Sequence, residues 1–370
     1  MKKIFHLIIK SRIVKNIVNP SYNKIGAVST GSICIILSEE NMLGDLVIHN
    51  FIVQQLQFHG YSVSYGMSDS FFSRFRFFFE NHSMADHLFV LPESKRKWGR
   101  FIKDIRKAGI NAVILDEYPL VDPVFFYLAG VPVLIGPSQN KSNFYTREYR
   151  LEKMYLHYTD IVEPLLNLLA NGQVERKQHV ISPFFPFEKM DIKELHTGHE
   201  VSLSVHIGGG SYWNRKWPKE RYLEIGRLFL QHYEGKLLLI GGEDEHAANE
   251  EIRKDLIETC NAAGRVINFC GVDLHTTASV ISSSKVFIGN DSGPMHIAVA
   301  LNKRVIGIFG PSAIHVVNPT KYDQRNITIH SDLECVPCNN NHCMLPEGSK
   351  FSCLTGLSSS MVWEKLQSVI

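Results

Sequence analysis

The stretch Phe287–Ser312, FIGNDSGPMHIAVALNKRVIGIFGPS, constrains the fold more than any other part of the chain. Just ahead of it and into it, Val286–Gly289 is a short unbroken apolar run, the pattern of a strand buried in a parallel sheet. A polar turn follows, and Gly293-Pro294 opens a helical pattern through Met295, Ile297, Ala298 and Leu301. Proline suits a first helical position, because its missing N–H would be unpaired there anyway. A second apolar run, Val305–Phe309, ends at Gly310-Pro311. Strand, turn, helix and strand make one βαβ unit.

The same alternation runs through the rest of the chain. Ile33–Leu37 reads as a first buried strand, followed by a loop to Gly44. Asp45 then precedes Leu46, Val47, Phe51, Ile52, Leu56 and Phe58 at helical spacing, and Gly60 supplies the stop. Further strands are expected at Tyr61–Tyr65, His87–Leu91, Asn111–Leu115 and Val131–Ile135, with a mostly helical pattern over Asn143–Asn171. In the second half the strands are Val201–Ile207, Leu237–Ile240 and Val266–Phe269, each followed by a helical stretch. The expected fold class is α/β, with two Rossmann-like, doubly wound parallel-sheet domains facing a cleft. A chain of 370 residues has ample material for two cores. The boundaries read as residues 1–185, a Pro- and Phe-rich linker over 186–200, a second domain over 201–355, and a final helix over 356–370 that returns toward the first domain.

A formal net charge of +2 gives no argument for a nucleic-acid partner. Its distribution says more: Lys2, Lys3, Lys10, Arg12, Lys15 and Lys24 all precede the first acidic residue, Glu39. The apolar residues among them form too short a run to span a bilayer. Two readings stand, a basic arm resting on anionic lipid and a solvated terminus. The expected location is cytoplasmic, with peripheral contact to the inner membrane through that arm. A second basic face, Lys95, Arg96, Lys97, Arg100, Lys103, Arg106 and Lys107, reads as solvated surface or as a contact for a phosphorylated acceptor.

Ligands of doubly wound sheets bind beyond the carboxyl ends of the strands, and the polar residues of this chain collect there. At the turn before Gly293, free N–H groups and the helix dipole favour an anion. Ser292 and Gly293 let a phosphate approach, and Asp291 is expected to cap the helix or to hold a neighbouring hydroxyl or N–H. His296, in the first helical turn, can donate toward the same anion. An ordinary capped helix with one buried histidine accounts for the same residues. Gly208, Gly209, Gly210 and Ser211 follow another strand directly and permit close backbone approach, without the spacing of a dinucleotide fingerprint. Arg215 and Lys216 stand just ahead of Trp217-Pro218, where a cation can neutralise a diphosphate. Behind Gly241-Gly242, the carboxylates Glu243, Asp244 and Glu245 serve either as caps or as acceptors from ribose hydroxyls.

The run NDSGPMHIAVAL followed by VIGIFGPS resembles the signature of glycosyltransferase family nine, the bacterial heptosyltransferases of lipopolysaccharide core synthesis. The resemblance continues in RKWPKERY (Arg215–Tyr222), in LLLIGGEDE (Leu237–Glu245) and at MLGD (Met42–Asp45). It implies the two-domain GT-B arrangement and an inverting transferase that needs no metal for catalysis. The donor it implies is a nucleotide sugar such as ADP-heptose, and the acceptor a lipopolysaccharide core or another cell-surface glycan. On the matching positions it places the ribose on Glu245 and the diphosphate on the cation two residues before Trp217, which is Arg215 here where relatives often have Lys. It places the general base, a carboxylate that takes the acceptor hydroxyl's proton, at Asp45. Helix capping is the competing reading of Asp45. A sugar-nucleotide epimerase of the same architecture and a non-catalytic nucleotide-sugar-binding protein are the alternative functions.

Cys34, Cys260 and Cys270 lie in or beside apolar segments and read as core residues. Cys335, Cys338, Cys343 and Cys353 form a C-x2-C-x4-C-x9-C cluster in an Asn-rich loop. Four thiols this close suit a structural zinc or iron, with His342 as a substitute ligand, and equally suit reducible disulfides.

Overall fold

The computed structural model describes residues 31–39, 41–93, 97–115, 122–137, 144–149, 158–169, 184–195, 201–209, 213–340 and 342–370. The basic arm, Lys95 and Arg96, Gly210 and Ser211 lie outside these residues.

The first domain runs β1 (Gly31–Ile36), α1 (Leu43–Phe58), β2 (Tyr61–Met67), α2 (Asp69–Arg74), α3 (Arg76–Asn81), β3 (His87–Val90), α4 (Trp98–Ala108), β4 (Ile110–Leu115), α5 (Val124–Leu128), β5 (Val133–Pro137), β6 (Arg147–Tyr149) and α6 (Tyr158–Leu169). Its sheet is parallel, in the order β3-β2-β1-β4-β5-β6. The second domain runs β7 (Val201–His206), α7 (Lys219–His232), β8 (Gly235–Ile240), α8 (His246–Cys260), β9 (Val266–Asn268), α9 (Leu274–Ser283), β10 (Val286–Asn290), α10 (Gly293–Ala300), β11 (Arg304–Ile308), α11 (Ile314–Val317), β12 (Ile327–Ile329), α12 (Ser352–Thr355) and α13 (Ser359–Gln367). Its parallel sheet has the order β12-β11-β10-β7-β8-β9. Each order reverses once, between β1 and β4 in the first sheet and between β7 and β10 in the second. A doubly wound sheet opens a crevice at that reversal, outside the carboxyl ends of the strands.

Apolar runs become central strands because both faces are covered by helices. In β10 every residue from Val286 to Asn290 is buried. Helix α4 shows the opposite patterning: Phe101 and Ile105 are buried, while Lys97, Arg100, Lys103, Arg106 and Lys107 are exposed. Its left-handed C-cap is Gly109, at φ 65°.

The structure corrects the sequence reading in several places. The region expected to be mostly helical from Asn143 contains the edge strand β6, paired to β5. The phenylalanine-rich segment after β2, where no element is expected from the sequence, folds as two short helices, α2 and α3, with Phe71, Phe78 and Phe79 buried. Helix α13 stays with the second domain: Val362 and Leu366 enter its core, Lys285 Nζ donates to Ile370 O at 2.6 Å, and Ser359 Oγ donates to Glu224. Cys34 and Cys270 are buried as expected, whereas Cys260 is only partly covered.

The two domains share apolar packing. Leu46, Val47 and Phe51 of α1 belong to the same cluster as Met295, Ile297 and Val299 of α10. Phe51 also meets the edge of Tyr322 at 5.5 Å between ring centroids. Helices α1 and α10 each follow a strand at its domain's sheet reversal, so their contact sets the two crevices against one another.

Candidate functional site

The crevice of the second domain is built on Asn290, the last residue of β10. Its fully buried side chain donates from Nδ2 to Ile207 O at 3.0 Å and to Gly208 O at 2.8 Å, which fixes the exit of β7. Its Oδ1 accepts from the backbone N–H of Trp217 at 3.1 Å. Trp217 is itself buried, and its indole N–H donates to Leu357 O at 3.0 Å. One amide side chain therefore holds both the start of the glycine segment and the residue just beyond Arg215 and Lys216. Nothing in the sequence marks Asn290 for this beyond a polar residue ending an apolar strand.

Arg215, so placed, donates from Nη1 to Asp291 Oδ2 at 2.8 Å. His296 Nε2 stands 3.6 Å from the other oxygen, Oδ1. Burial pushes the Asp291 carboxyl up, but His296 and Arg215 outweigh it and hold the group below its usual range. Asp291 is thus an ionised anchor for the cation. Of the two expectations for Asp291, holding a neighbouring N–H is the one realised, and capping is not: the N-cap of α10 is Ser292, in extended backbone and with no side-chain capping bond. Helix α10 begins at Gly293-Pro294 as the sequence indicates. Lys216 is exposed beside this pair, and its charge reaches Glu245.

Ser292 Oγ instead turns inward, 3.0 Å from His206 Nδ1 and 3.0 Å from Asn290 O, to which it donates. His206 ends β7, and its Nε2 lies 3.1 Å from Glu245 Oε2. Glu245 Oε2 also accepts from Gly242 N at 3.1 Å, so the capping reading of this residue is realised. Its carboxylate lies over Gly208, where a Cβ would stand 1.5 Å from Oε1. No side chain other than hydrogen fits at 208 while the carboxylate keeps that place. Burial favours protonation of Glu245, but the bond and charge of His206, the Gly242 N–H and Lys216 together depress its pKa. His206 was not legible as a site residue; a histidine closing an apolar strand was its only signal. Gly209 is buried on this rim.

From the first domain, Asp45 lies in the opening turn of α1, which starts at Leu43 rather than at Asp45 itself. Its Oδ2 accepts from Met42 N at 2.7 Å, a cap on the helix start. Its Oδ1 has no hydrogen-bond partner among the described residues. The neighbouring Gly44 is in contact with α10: a Cβ there would stand 3.0 Å from His296 Cδ2 and 3.6 Å from Gly293 Cα. A Cβ on Gly293 would in turn stand 3.3 Å from Leu43 Cδ2. Two helix N-termini, one from each domain, therefore meet at two glycines, and both direct positive dipole ends to the same place. Gly44, next to Asp45 in the chain, is thus brought against Gly293 and His296, some 250 positions away in the sequence.

Cys335 is exposed, Cys338 and Cys343 are partly covered, and Cys353 is buried. Burial, then the nearby Cys338, Cys343 and Cys335, push the Cys353 thiol up to about 11. Among the described residues no group of three or more His, Cys, Asp or Glu side chains is arranged to hold a metal. The thiol loop is tied to the site wall, since Asn214 Nδ2 donates to Asn340 O at 2.7 Å and Asn339 N to Pro311 O at 2.7 Å. No helix among the described residues is long and apolar enough to cross a membrane.

Comparison with known proteins gives concordant matches. The profile of glycosyltransferase family 9 (heptosyltransferase) matches residues 98–348. Lipooligosaccharide heptosyltransferase 2 of Campylobacter jejuni serotype O:2 is 23% identical over 231 residues, covering 61% of this chain and 67% of that protein. Lipopolysaccharide heptosyltransferase 2 of Escherichia coli K12 is 31% identical over 117 residues, about a third of each chain (31% and 32%). The solved structure of E. coli ADP-heptose lipopolysaccharide heptosyltransferase II superposes with a TM-score of 0.65 at 16% identity, over 91% of this chain and 98% of that one. That likeness establishes the two-domain GT-B fold.

Proposed function

Because the chain belongs to glycosyltransferase family 9, we propose that it moves a heptose from an ADP-heptose donor onto a lipopolysaccharide core or a related cell-surface glycan, with inversion at the transferred carbon. The observation that carries this reading is the contact of Gly44 with His296, which sets the Asp45 turn of one domain against the anion-favouring turn of the other. A transferase needs both halves at one point: a carboxylate for the acceptor hydroxyl and positive charge for the departing diphosphate.

In this scheme the diphosphate lies between Arg215, Lys216 and the N-terminus of α10, with the ribose toward Glu245. Arg215 has five N–H donors, so it can hold Asp291 and a phosphate oxygen together. The Asp45 carboxylate takes the proton of the acceptor hydroxyl as its oxygen attacks the anomeric carbon. The bond from that carbon to the diphosphate oxygen breaks, and the electron pair leaves with ADP. Developing charge on the leaving group is offset by the two cations and the helix dipole, placed before the reaction begins. No metal is assigned a step. We place the enzyme in the cytoplasm against the inner membrane, on the strength of the basic residues Lys2 to Lys24.

The deciding experiment incubates the protein with ADP-heptose and a heptose-deficient lipopolysaccharide acceptor and follows both ADP release and acceptor mass. Transfer adds one heptose per ADP released. Isomerised donor without acceptor gain points to an epimerase, and tight donor binding with neither product points to a binding protein.

A further inference from the structure

We infer that His206 is a positioning residue of the donor site, whose ring joins the phosphate-side hydroxyl of Ser292 to the ribose-side carboxylate of Glu245. The inference rests on the ADP-sugar reading above and deepens it. Nδ1 lies 3.0 Å from Ser292 Oγ and Nε2 3.1 Å from Glu245 Oε2, and all three residues are at most 8% exposed. The links span 86 and 39 positions of sequence and join the ends of three strands, β7, β8 and β10.

The direction of control follows from which groups can donate. A carboxylate only accepts, so a proton resides on Nε2. In the neutral ring Nδ1 only accepts, which draws the single hydroxyl hydrogen of Ser292 toward it and away from Asn290 O; in the charged ring Nδ1–H donates to the Ser292 oxygen and leaves that hydrogen to Asn290 O. In both states Glu245 sets the orientation of the Ser292 hydroxyl through the imidazole. The second acceptor beside that hydroxyl, Asn290 O at 3.0 Å, gives it an alternative orientation that the ring selects for or against. Gly208 is part of the device, because a Cβ there would occupy the space of Glu245 Oε1 and displace the carboxylate from the ring. Ribose and phosphate contacts are therefore coupled through one side chain that touches neither.

Two substitutions divide the bridge. The amide nitrogen of asparagine falls near the place of Nδ1 and that of glutamine near Nε2, so His206→Asn keeps the Ser292 link and His206→Gln keeps the Glu245 link. Binding is measured by calorimetry with ADP and 2′,3′-dideoxy-ADP, and melting temperature confirms folding of each variant. In the wild type, loss of the ribose hydroxyls is expected to weaken binding about tenfold, the size of a hydrogen bond to a charged group. That ratio should collapse in His206→Asn and persist in His206→Gln. Conversely, Ser292→Ala should weaken ADP binding in the wild type and in His206→Asn, yet change nothing further in His206→Gln. Equal losses for both nucleotides in both variants, or affinities like the wild type, overturn the inference alone. A wild-type protein that binds no ADP overturns the donor reading and the inference with it.

Discussion

Arg215 Nη1 donates to Asp291 Oδ2 at 2.8 Å, so the cation expected at the donor diphosphate is held by the carboxylate at the foot of α10. The Asp291 side chain is 7% exposed and that of Arg215 23%, which makes this a largely desolvated pair. Removing one partner of such a pair leaves an uncompensated charge and costs about 3–5 kcal/mol when both are fully buried. With Arg215 partly open to solvent, Asp291→Ala is expected at the lower end of that range in urea unfolding, with the urea slope unchanged. Donor affinity should fall with it, since the guanidinium loses its anchor. A variant of wild-type stability and affinity removes Asp291 from the arrangement.

The same pair sets a dependence on acid. The Asp291 carboxyl is held below its ordinary 3.8 by His296 and Arg215, against the upward push of burial. A depressed carboxylate stabilises the fold fully above its unfolded value and loses that contribution as pH falls through the folded one. The stability difference between the wild type and Asp291→Asn should therefore be constant from pH 7 down to about 4, the unfolded carboxyl range, and shrink below it. Urea midpoints across pH 2.5–7 measure it, and a gap that widens on acidification reverses the assignment.

Asp45 has one oxygen on the Met42 N–H at 2.7 Å and one without a partner among the described residues. Capping and catalysis thus use different atoms. Asp45→Asn retains an acceptor for the cap and should melt within a few degrees of the wild type, while its transfer rate falls by about two to four orders of magnitude. Asp45→Ala should lose the same rate and also about 1 kcal/mol of stability. Near-normal turnover in the Asn variant excludes Asp45 as the base.

The clustered thiols differ in exposure, and alkylation rates should follow. Cys335 is open to solvent and should react first with iodoacetamide at pH 8, whereas Cys353, pushed up to about 11, should react last of the four. Cys34, buried and pushed up to about 12, should label only on unfolding. Peptide mass mapping over time gives the order. A structural zinc or iron would produce a different signature, protecting all four until a chelator releases them together.

Five strands of the second domain, β7 to β11, were legible nearly residue by residue, because runs such as β10 and β11 are apolar, punctuated by Gly and Pro and buried on both faces. The last strand, β12, was not. Nor was the edge strand β6, since Arg147-Glu148-Tyr149 offers no apolar run to mark it. The candidate site divides along the same line. Gly293-Pro294 announces its helix locally, and the cations before Trp217 stand out by charge. The partner of Asp291, by contrast, is 76 positions away, and the ring between Ser292 and Glu245 is reached only when three strands lie side by side. Short-range pattern carries no record of such contacts. Asp291 therefore reads as a cap or as a holder of some neighbouring N–H, and Glu245 as a cap or a ribose acceptor; only the structure shows that Asp291 holds Arg215 and that Glu245 caps.

Asn290 grips the chain at Ile207-Gly208 and again at Trp217. The exit and re-entry points of the intervening segment are therefore set by one side chain of a different strand, and not by the segment's own length. Insertions, deletions or a grafted loop between Gly209 and Asn214 would leave and return through the same gate, with Arg215 delivered to Asp291 each time. That makes this segment the natural place to exchange sequence when donor preference is to be redesigned, and it makes Asn290 the residue that such a redesign must leave alone.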